Sequence, residues 1–322
     1  MIPPVSVTLA DIQDAENRIR GIAWRTPTVP SSRYDTGDLY LKLECLQRTG
    51  SFKIRGAWNK MSRATEEEKR SGFVTVSAGN HGQAVAWCAM KLNSPCTVYV
   101  PETAVERKLE SMRSMGAKIM KKPVTEIMAS MADDRMYRTG MTYVPPFGDN
   151  LIVAGQGTVG LEIAREVQDI GTVIVPVGGG GLAAGIATAV KALKPSAKVY
   201  GVQAEGAAPL PQSLKSGAPV VLDSINTVAD GIGANRVFDF MFPILREKLD
   251  GVFTVSDSEI LQAMKHVFSE VHAVAEPAGA ASLAAARKHE KEIERPVVCI
   301  ISGGNVDSKL LCNTVSTPQQ NT

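Results

Sequence analysis

The 322-residue sequence has almost no net charge, since 35 Lys and Arg set against 33 Asp and Glu leave +2. That balance provides no electrostatic basis for binding nucleic acid or an anionic membrane. The five cysteines, Cys45, Cys88, Cys96, Cys299 and Cys312, form no CxxC pair, and their number is odd. Neither a zinc site nor a disulfide framework is expected, and inert thiols in a reducing cytoplasm are the simplest reading. The opening MIPPVSVTLADIQ lacks the basic and apolar regions of a signal peptide. There is no internal repeat and no low-complexity linker. One uncharged stretch, GTVIVPVGGGGLAAGIATAV (171–190), is long enough to imitate a membrane span. Pro176 and four consecutive glycines would break such a helix, so a strand, a glycine turn and a new helix fit it better.

The composition is that of a folded globular chain, 44% hydrophobic and 21% charged. At roughly 150 residues per domain, the length suggests two domains. Thr8 and Asp11 form a capping-box variant opening a helix through about Ile22. LYLKLEC (39–45) alternates like a strand, and Ser51 is placed to cap a helix running to Met61. A regular alternation follows. FVTVS (73–77), CTVYV (96–100), AKIMKK (117–122) and MTYV (141–144) read as strands. Helices are expected from Asn80, over 105–116 and near 125–138. A second series has helices over 153–167, from Leu182 to Lys194, and over 256–271, the last capped by Ser256 or Ser258. Its strands are TVIVPV (172–177), KVYGVQ (198–203) and PVVCII (296–301). The tail 316–322 is polar and expected to fray. Such alternation predicts an α/β fold of parallel sheets flanked by helices, with ligands at the carboxyl ends of strands.

Three loops carry chemistry-bearing residues. In TGSFKIRGA (49–57), Lys53 lies in the first turn of a helix among Phe52, Ile54 and Gly56. The positive helix end and partial desolvation both favour its neutral amine, the form that condenses with a carbonyl. In SAGNHGQA (77–84), small residues after a strand let backbone N–H groups approach an anion. Ser77 adds a hydroxyl there, Asn80 an amide able to meet a ring oxygen, and His81 a candidate acid or base, although a helix-capping role is as plausible. In VGGGGLAAG (177–185), glycines let successive N–H groups converge on one phosphate. The same text fits a dinucleotide fingerprint through Gly178, Gly180 and Ala183 with Glu205 downstream, so this loop alone leaves phosphate and NAD open. Ser302 of ISGGN (301–305) would stand at the carboxyl edge of the last buried strand.

Taken in order, ECLQRTGSFKIRG, SAGNHGQA, AGQGT (154–158), VGGGG, TVADG (227–231), EPAGA (276–280) and SGGN resemble the fold-type II pyridoxal-phosphate enzymes, which are tryptophan synthase beta-like. The resemblance is strongest to the threonine/serine dehydratase and serine racemase group and spans about residues 5–310. It implies a two-domain enzyme, with residues 1–65 and 149–322 forming a large cofactor-binding domain and 72–148 a smaller mobile one. It implies that Lys53 forms the Schiff base with pyridoxal 5'-phosphate, with Phe52 against the ring. Gly178, Gly179, Gly180 and Gly181 would hold the phosphate, Asn80 the ring hydroxyl and Ser302 the pyridine nitrogen. Ser77 and the backbone of Ala78, Gly79, Asn80 and His81 would hold the substrate carboxylate. Gly50, Gly56 and Gly155 would serve packing or turns.

The implied activity is β-elimination of water from an L-β-hydroxy amino acid, giving a 2-oxo acid and ammonia. A neutral hydroxyl such as that of Ser302 places no full positive charge on the ring, which favours prompt elimination over transamination. Serine racemases carry a serine where Ala78 aligns, and alanine has no proton to give, so dehydration is expected over racemisation. Racemase-type members also bind a divalent cation. Gln203, Ala207 and Pro209 align with those ligands and two carboxylates are missing, so no metal is expected, although Glu205 is a possible substitute. A regulatory C-terminal domain is not expected. Serine racemisation, dehydration of hydroxyaspartate or phenylserine, and cysteine-synthase-like β-replacement remain as alternatives within the family. From other classes, a NAD-dependent oxidoreductase and a non-catalytic binding protein remain. The resemblance further implies a cytoplasmic homodimer.

Overall fold

The computed structural model describes residues 3–32, 37–104, 106–127 and 140–316. Its strands are β1 (Thr28–Pro30), β2 (Leu39–Leu43), β3 (Phe73–Val76), β4 (Cys96–Pro101), β5 (Lys118–Lys122), β6 (Thr142–Tyr143), β7 (Thr172–Pro176), β8 (Lys198–Ala204), β9 (Gly251–Val255) and β10 (Val297–Ile301). Among the described residues they form two sheets, ordered β1-β2-β10-β7-β8-β9 and β5-β4-β3-β6. Every pairing is parallel except β1 with β2. The parallel expectation thus fails only for a three-residue edge strand that alternation does not reveal. β3, β7 and β10 are buried at every position, as expected for strands covered by helices on both faces.

Local signals set most element ends. The Thr8–Asp11 capping box is present, but its helix stops at Ile19 rather than Ile22. Ser256, not Ser258, caps the helix Asp257–His266 through a reciprocal bond with Glu259. That helix then loosens into a π turn, Val267–Val271, and ends on His272 in the left-handed conformation. β2 stops at Leu43 because Glu44 enters a tight turn and directs its carboxylate inward. The helix expected near 125–138 and the tail 316–322 lie largely outside the described residues. Among the described residues, no helix is long and apolar enough to cross a membrane.

The helix Asn150–Glu166 lies between two others and meets each at a glycine. A Cβ on Gly155 would lie 2.6 Å from the Cα of Gly56 in the helix Lys53–Met61. A Cβ on Gly185, in the helix Gly181–Leu193, would lie 2.6 Å from the backbone N of Gly157. The AGQGT stretch therefore works by omission of side chains, allowing close backbone approach on both sides.

Beneath this crossing lies a buried charge network. Arg55 is 0% exposed and forks onto two carboxylates. Its Nε and Nη2 donate to Glu44 at 2.8 and 2.7 Å, and its Nη1 donates to Glu162 Oε1 at 2.7 Å. Lys42 reaches Glu162 at 2.7 Å and Glu166 at 2.9 Å. Burial alone favours a neutral Glu44, but the Arg55 guanidinium holds its carboxyl below the usual range. Removing one member would leave uncompensated charge in the core. Arg55→Met should therefore lower unfolding free energy by about 3–5 kcal/mol in urea denaturation, and a loss under about 1 kcal/mol would show that the network is not structural.

Candidate active site

The loops after β3, β7 and β10 carry most of the candidate residues, while Lys53 and Phe52 follow β2. Lys53 begins its helix without a side-chain cap, contrary to the expectation for Ser51. Ser51 instead forms an isolated antiparallel bridge with Gly303, and its buried hydroxyl has no protein partner. The Phe52 N–H donates to the Ser302 carbonyl at 3.1 Å. Tertiary pairing with the end of β10 thus replaces capping and fixes Lys53 beside Ser302.

Lys53 Nζ donates to the Pro146 carbonyl at 3.1 Å and lies 5.1 Å from the centre of the Phe52 ring. Burial pulls its amine down to about 8, partly offset by the carboxylate of Glu276. Desolvation is the main cause of this shift.

The phosphate-cradle candidates follow β7. Gly180 has φ +88°, a left-handed conformation that favours glycine, and it caps the helix Gly181–Leu193. A Cβ on Gly179 would overlap the Phe147 ring, and one on Gly178 would press on the carbonyl of Gly231 at 3.1 Å. TVADG therefore packs against this loop.

On the facing side, Asn80 opens the helix Asn80–Lys91. Its Nδ2 donates to Glu276 at 2.7 Å, and its Oδ1 accepts from Asn305 Nδ2 at 2.8 Å. The Gly79 N–H donates to the Ser77 hydroxyl at 3.3 Å, and a Cβ on Gly79 would meet nothing within 4 Å. Ala78 packs on the core of the four-stranded sheet. His81 is 2% exposed; its Nε2 lies 3.0 Å from the Val144 carbonyl and its Nδ1 has no partner. Burial, with the Lys53 charge, pulls the imidazole down to about 3. A group that stays neutral through physiological pH does not shuttle protons easily, so an acid role for His81 is disfavoured.

The cleft thus joins Lys53, Phe52, Ser302 and Asn80 to the glycine loop through Pro146 and Phe147. Glu276, Asn305, Pro146 and Phe147 were not among the sequence candidates. Glu276 and Asn305 lie within the EPAGA and SGGN motifs, so a signal for them existed. The contributions of Pro146 and Phe147 depend on tertiary placement alone. The other candidates are engaged elsewhere. Glu205 pairs with Lys288 at 2.8 Å, its side chain half-exposed. Gln203 donates to the Val177 carbonyl at 3.0 Å and accepts from the Leu210 N–H at 2.9 Å, so both ends of its amide are used. Among the described residues, no cluster of three His, Cys, Asp or Glu could hold a metal.

The residues fit a phosphorylated aromatic aldehyde. A buried amine with lowered basicity, a side-chain-free cradle at a helix N-terminus, and buried Ser51 and His81 atoms lacking protein partners are the donors and space such a group needs. The depressed His81 value also has a stability consequence. The unfolded chain takes up this proton near pH 6.5, whereas the folded chain does so only near 3. Stability is therefore lost as pH falls through 6.5, by about 2 kcal/mol between pH 7 and 5. In urea denaturation, the stability of wild type relative to His81→Gln should fall by about that amount between pH 7 and pH 5. An unchanged difference would mean that His81 titrates normally.

Comparison with known proteins agrees with this geometry. The model of a family described as pyridoxal-phosphate dependent enzymes matches residues 19–303. An L-threonine ammonia-lyase of Thermotoga maritima is 38% identical over 309 residues, covering 95% of this chain and 77% of the relative. A crystal structure of a T.th. threonine deaminase superposes with TM-score 0.86 at 39% identity, covering 93% of this chain and 99% of that one. The structure of maize serine racemase superposes with TM-score 0.88 at 34% identity, covering 96% of each chain. With the match spanning both sheets, the chain belongs to the pyridoxal-phosphate dependent enzyme family.

Proposed function

We propose that this protein is a threonine/serine ammonia-lyase, removing water from an L-β-hydroxy amino acid to release a 2-oxo acid and ammonia. The observation that carries it is the buried Lys53 amine, held on the Pro146 carbonyl at 3.1 Å, next to Phe52 tied to the Ser302 carbonyl, with its basicity pulled down to about 8 by burial. The names of its relatives, L-threonine ammonia-lyase and threonine deaminase, support this substrate class. Bound pyridoxal phosphate supplies a conjugated electron sink for the charge left at the substrate Cα. The N–H groups of Gly178 to Gly181 would hold the phosphate, Asn80 would meet the ring oxygen and Phe52 would lie against the ring. The Ser302 hydroxyl would donate to the ring nitrogen without adding a full positive charge, which would favour departure of the β-substituent. Ser77 and the backbone of Ala78, Gly79, Asn80 and His81 orient the substrate carboxylate. With the cofactor bound, the Lys53 amine would be the base that accepts the substrate's Cα proton.

The two sheets support a division into a large domain, 1–65 with 149–322, and a small mobile domain, 72–148, that carries the carboxylate loop. Cytoplasmic residence and a homodimer complete the reading. No metal is assigned to Gln203, Ala207, Pro209 or Glu205.

Ala78 separates dehydration from the racemisation named for the maize relative. Racemisation needs a second proton donor across the ring, and a methyl group has none. Purified protein should release ammonia from L-threonine or L-serine in a panel of hydroxy amino acids, and Lys53→Ala should reduce this by about 10²–10⁴-fold. Full-speed deamination by Lys53→Ala would end the proposal. Ala78→Ser should gain measurable serine racemisation by chiral chromatography. If it gains none, Ala78 is not what separates the two reactions.

A further inference from the structure

Asn80 is held at both ends of its side chain. Asn305 Nδ2 donates to the Thr49 carbonyl and to Asn80 Oδ1, each at 2.8 Å. Asn80 Nδ2 donates to Glu276 Oε1 at 2.7 Å. The outer members, a backbone carbonyl and a carboxylate, are acceptors only. The Thr49 carbonyl requires the amide end of Asn305, and Glu276 requires the amide end of Asn80. Turning Asn80 over would set its carbonyl against a carboxylate and amide against amide, losing both bonds. One N–H of Asn80 remains outside this chain of bonds.

The surroundings are shaped for the arrangement. Glu276 is the N-cap of the helix Pro277–Lys288, but its side chain does not cap that helix. Its carboxylate lies in the favourable field of the helix N-terminus and turns to Asn80 instead. A Cβ on Gly303 would overlap Glu276 Oε1, and one on Gly50 would overlap the Asn305 side chain. Both glycines thus leave room for the brace, and Gly50 also takes a left-handed turn at φ +72°.

We propose that Thr49, Asn305 and Glu276 form a positioning brace that orients the Asn80 amide so that its remaining N–H, not its carbonyl, meets the cofactor's ring oxygen. A donor there favours the ionised oxygen, whereas a flipped carbonyl would repel it. The brace also ties the first turn of the Asn80 helix, next to the four-stranded sheet, to the loop after β10. The proposal rests on the reading of Asn80 as the contact to that oxygen.

The test compares Asn80→Ala, Asn305→Asp, Asn305→Ala and Glu276→Gln in the full chain. Three quantities are measured: the pyridoxal phosphate dissociation constant, the visible absorption maximum of the bound form across pH, and the unfolding midpoint of the cofactor-free chain. Asn305→Asp and Asn305→Ala should weaken cofactor binding about tenfold, the scale of one lost hydrogen bond. They should also shift the absorption band or its pH midpoint in the direction seen for Asn80→Ala. Asn305→Ala removes both donors without adding charge, so it answers even if the aspartate variant does not fold. Glu276→Gln should weaken cofactor binding less than Asn305→Ala, because a glutamine oxygen still accepts from Asn80, while losing the charge near Lys53 moves the pH midpoint down. If Asn80→Ala changes affinity and spectrum while the Asn305 variants alter only the unfolding midpoint, the brace is structural and the proposal is wrong. If Asn80→Ala leaves affinity and spectrum unchanged, the reading of Asn80 fails and takes the brace with it.

Discussion

An amine in water is protonated at neutral pH and cannot attack a carbonyl; the cleft is organised around undoing that for one lysine. Burial pulls Lys53 down to about 8, so a useful fraction of it is neutral under ordinary conditions. Glu276 works against this, and its opposing field keeps the shift moderate. A larger shift would leave a weaker base, and an unburied lysine would stay charged. Lys53 keeps its position because Phe52 is tied to the carbonyl of Ser302 and its own amine to the carbonyl of Pro146.

The packing around it relies on glycine as much as on large side chains. Gly155 and Gly56, then Gly157 and Gly185, let three helices cross at backbone distance. Arg55, two residues beyond the reactive lysine, is locked between Glu44 and Glu162. The helix that presents Lys53 is therefore anchored on its buried side by charge-assisted bonds whose geometry resists sliding. Gly50 and Gly303 leave room for a polar chain that reaches Asn80 from the opposite side of the cleft.

Element type and order were legible in the sequence wherever burial pattern and capping chemistry agreed. β3, β7 and β10 are continuous apolar runs, and Thr8 and Ser256 cap as their motifs require. Several short elements were not legible. β1 and the helices Glu66–Ser71 and Phe242–Lys248 are too brief for periodicity to register. Ser51 carries a plausible cap signal that bridging to Gly303 overrides. Lys53, Asn80, Ser302 and the glycine loop could be named because they fall in distinctive local motifs, and the family follows from the order of those motifs.

Which residues face one another was decided only in three dimensions. Glu276 and Asn80 are 196 positions apart, and nothing local to either predicts a 2.7 Å bond between them. His81 illustrates the same division. Its motif marks it as a possible acid or base, but only enclosure by the folded chain, with Val144 on one nitrogen, makes it a neutral imidazole. Local sequence therefore determined the strands, the turns and the identity of the reactive groups, since these depend on neighbouring residues. The protonation and orientation of those groups depend on desolvation and partners that exist only once the two sheets and their helices have packed.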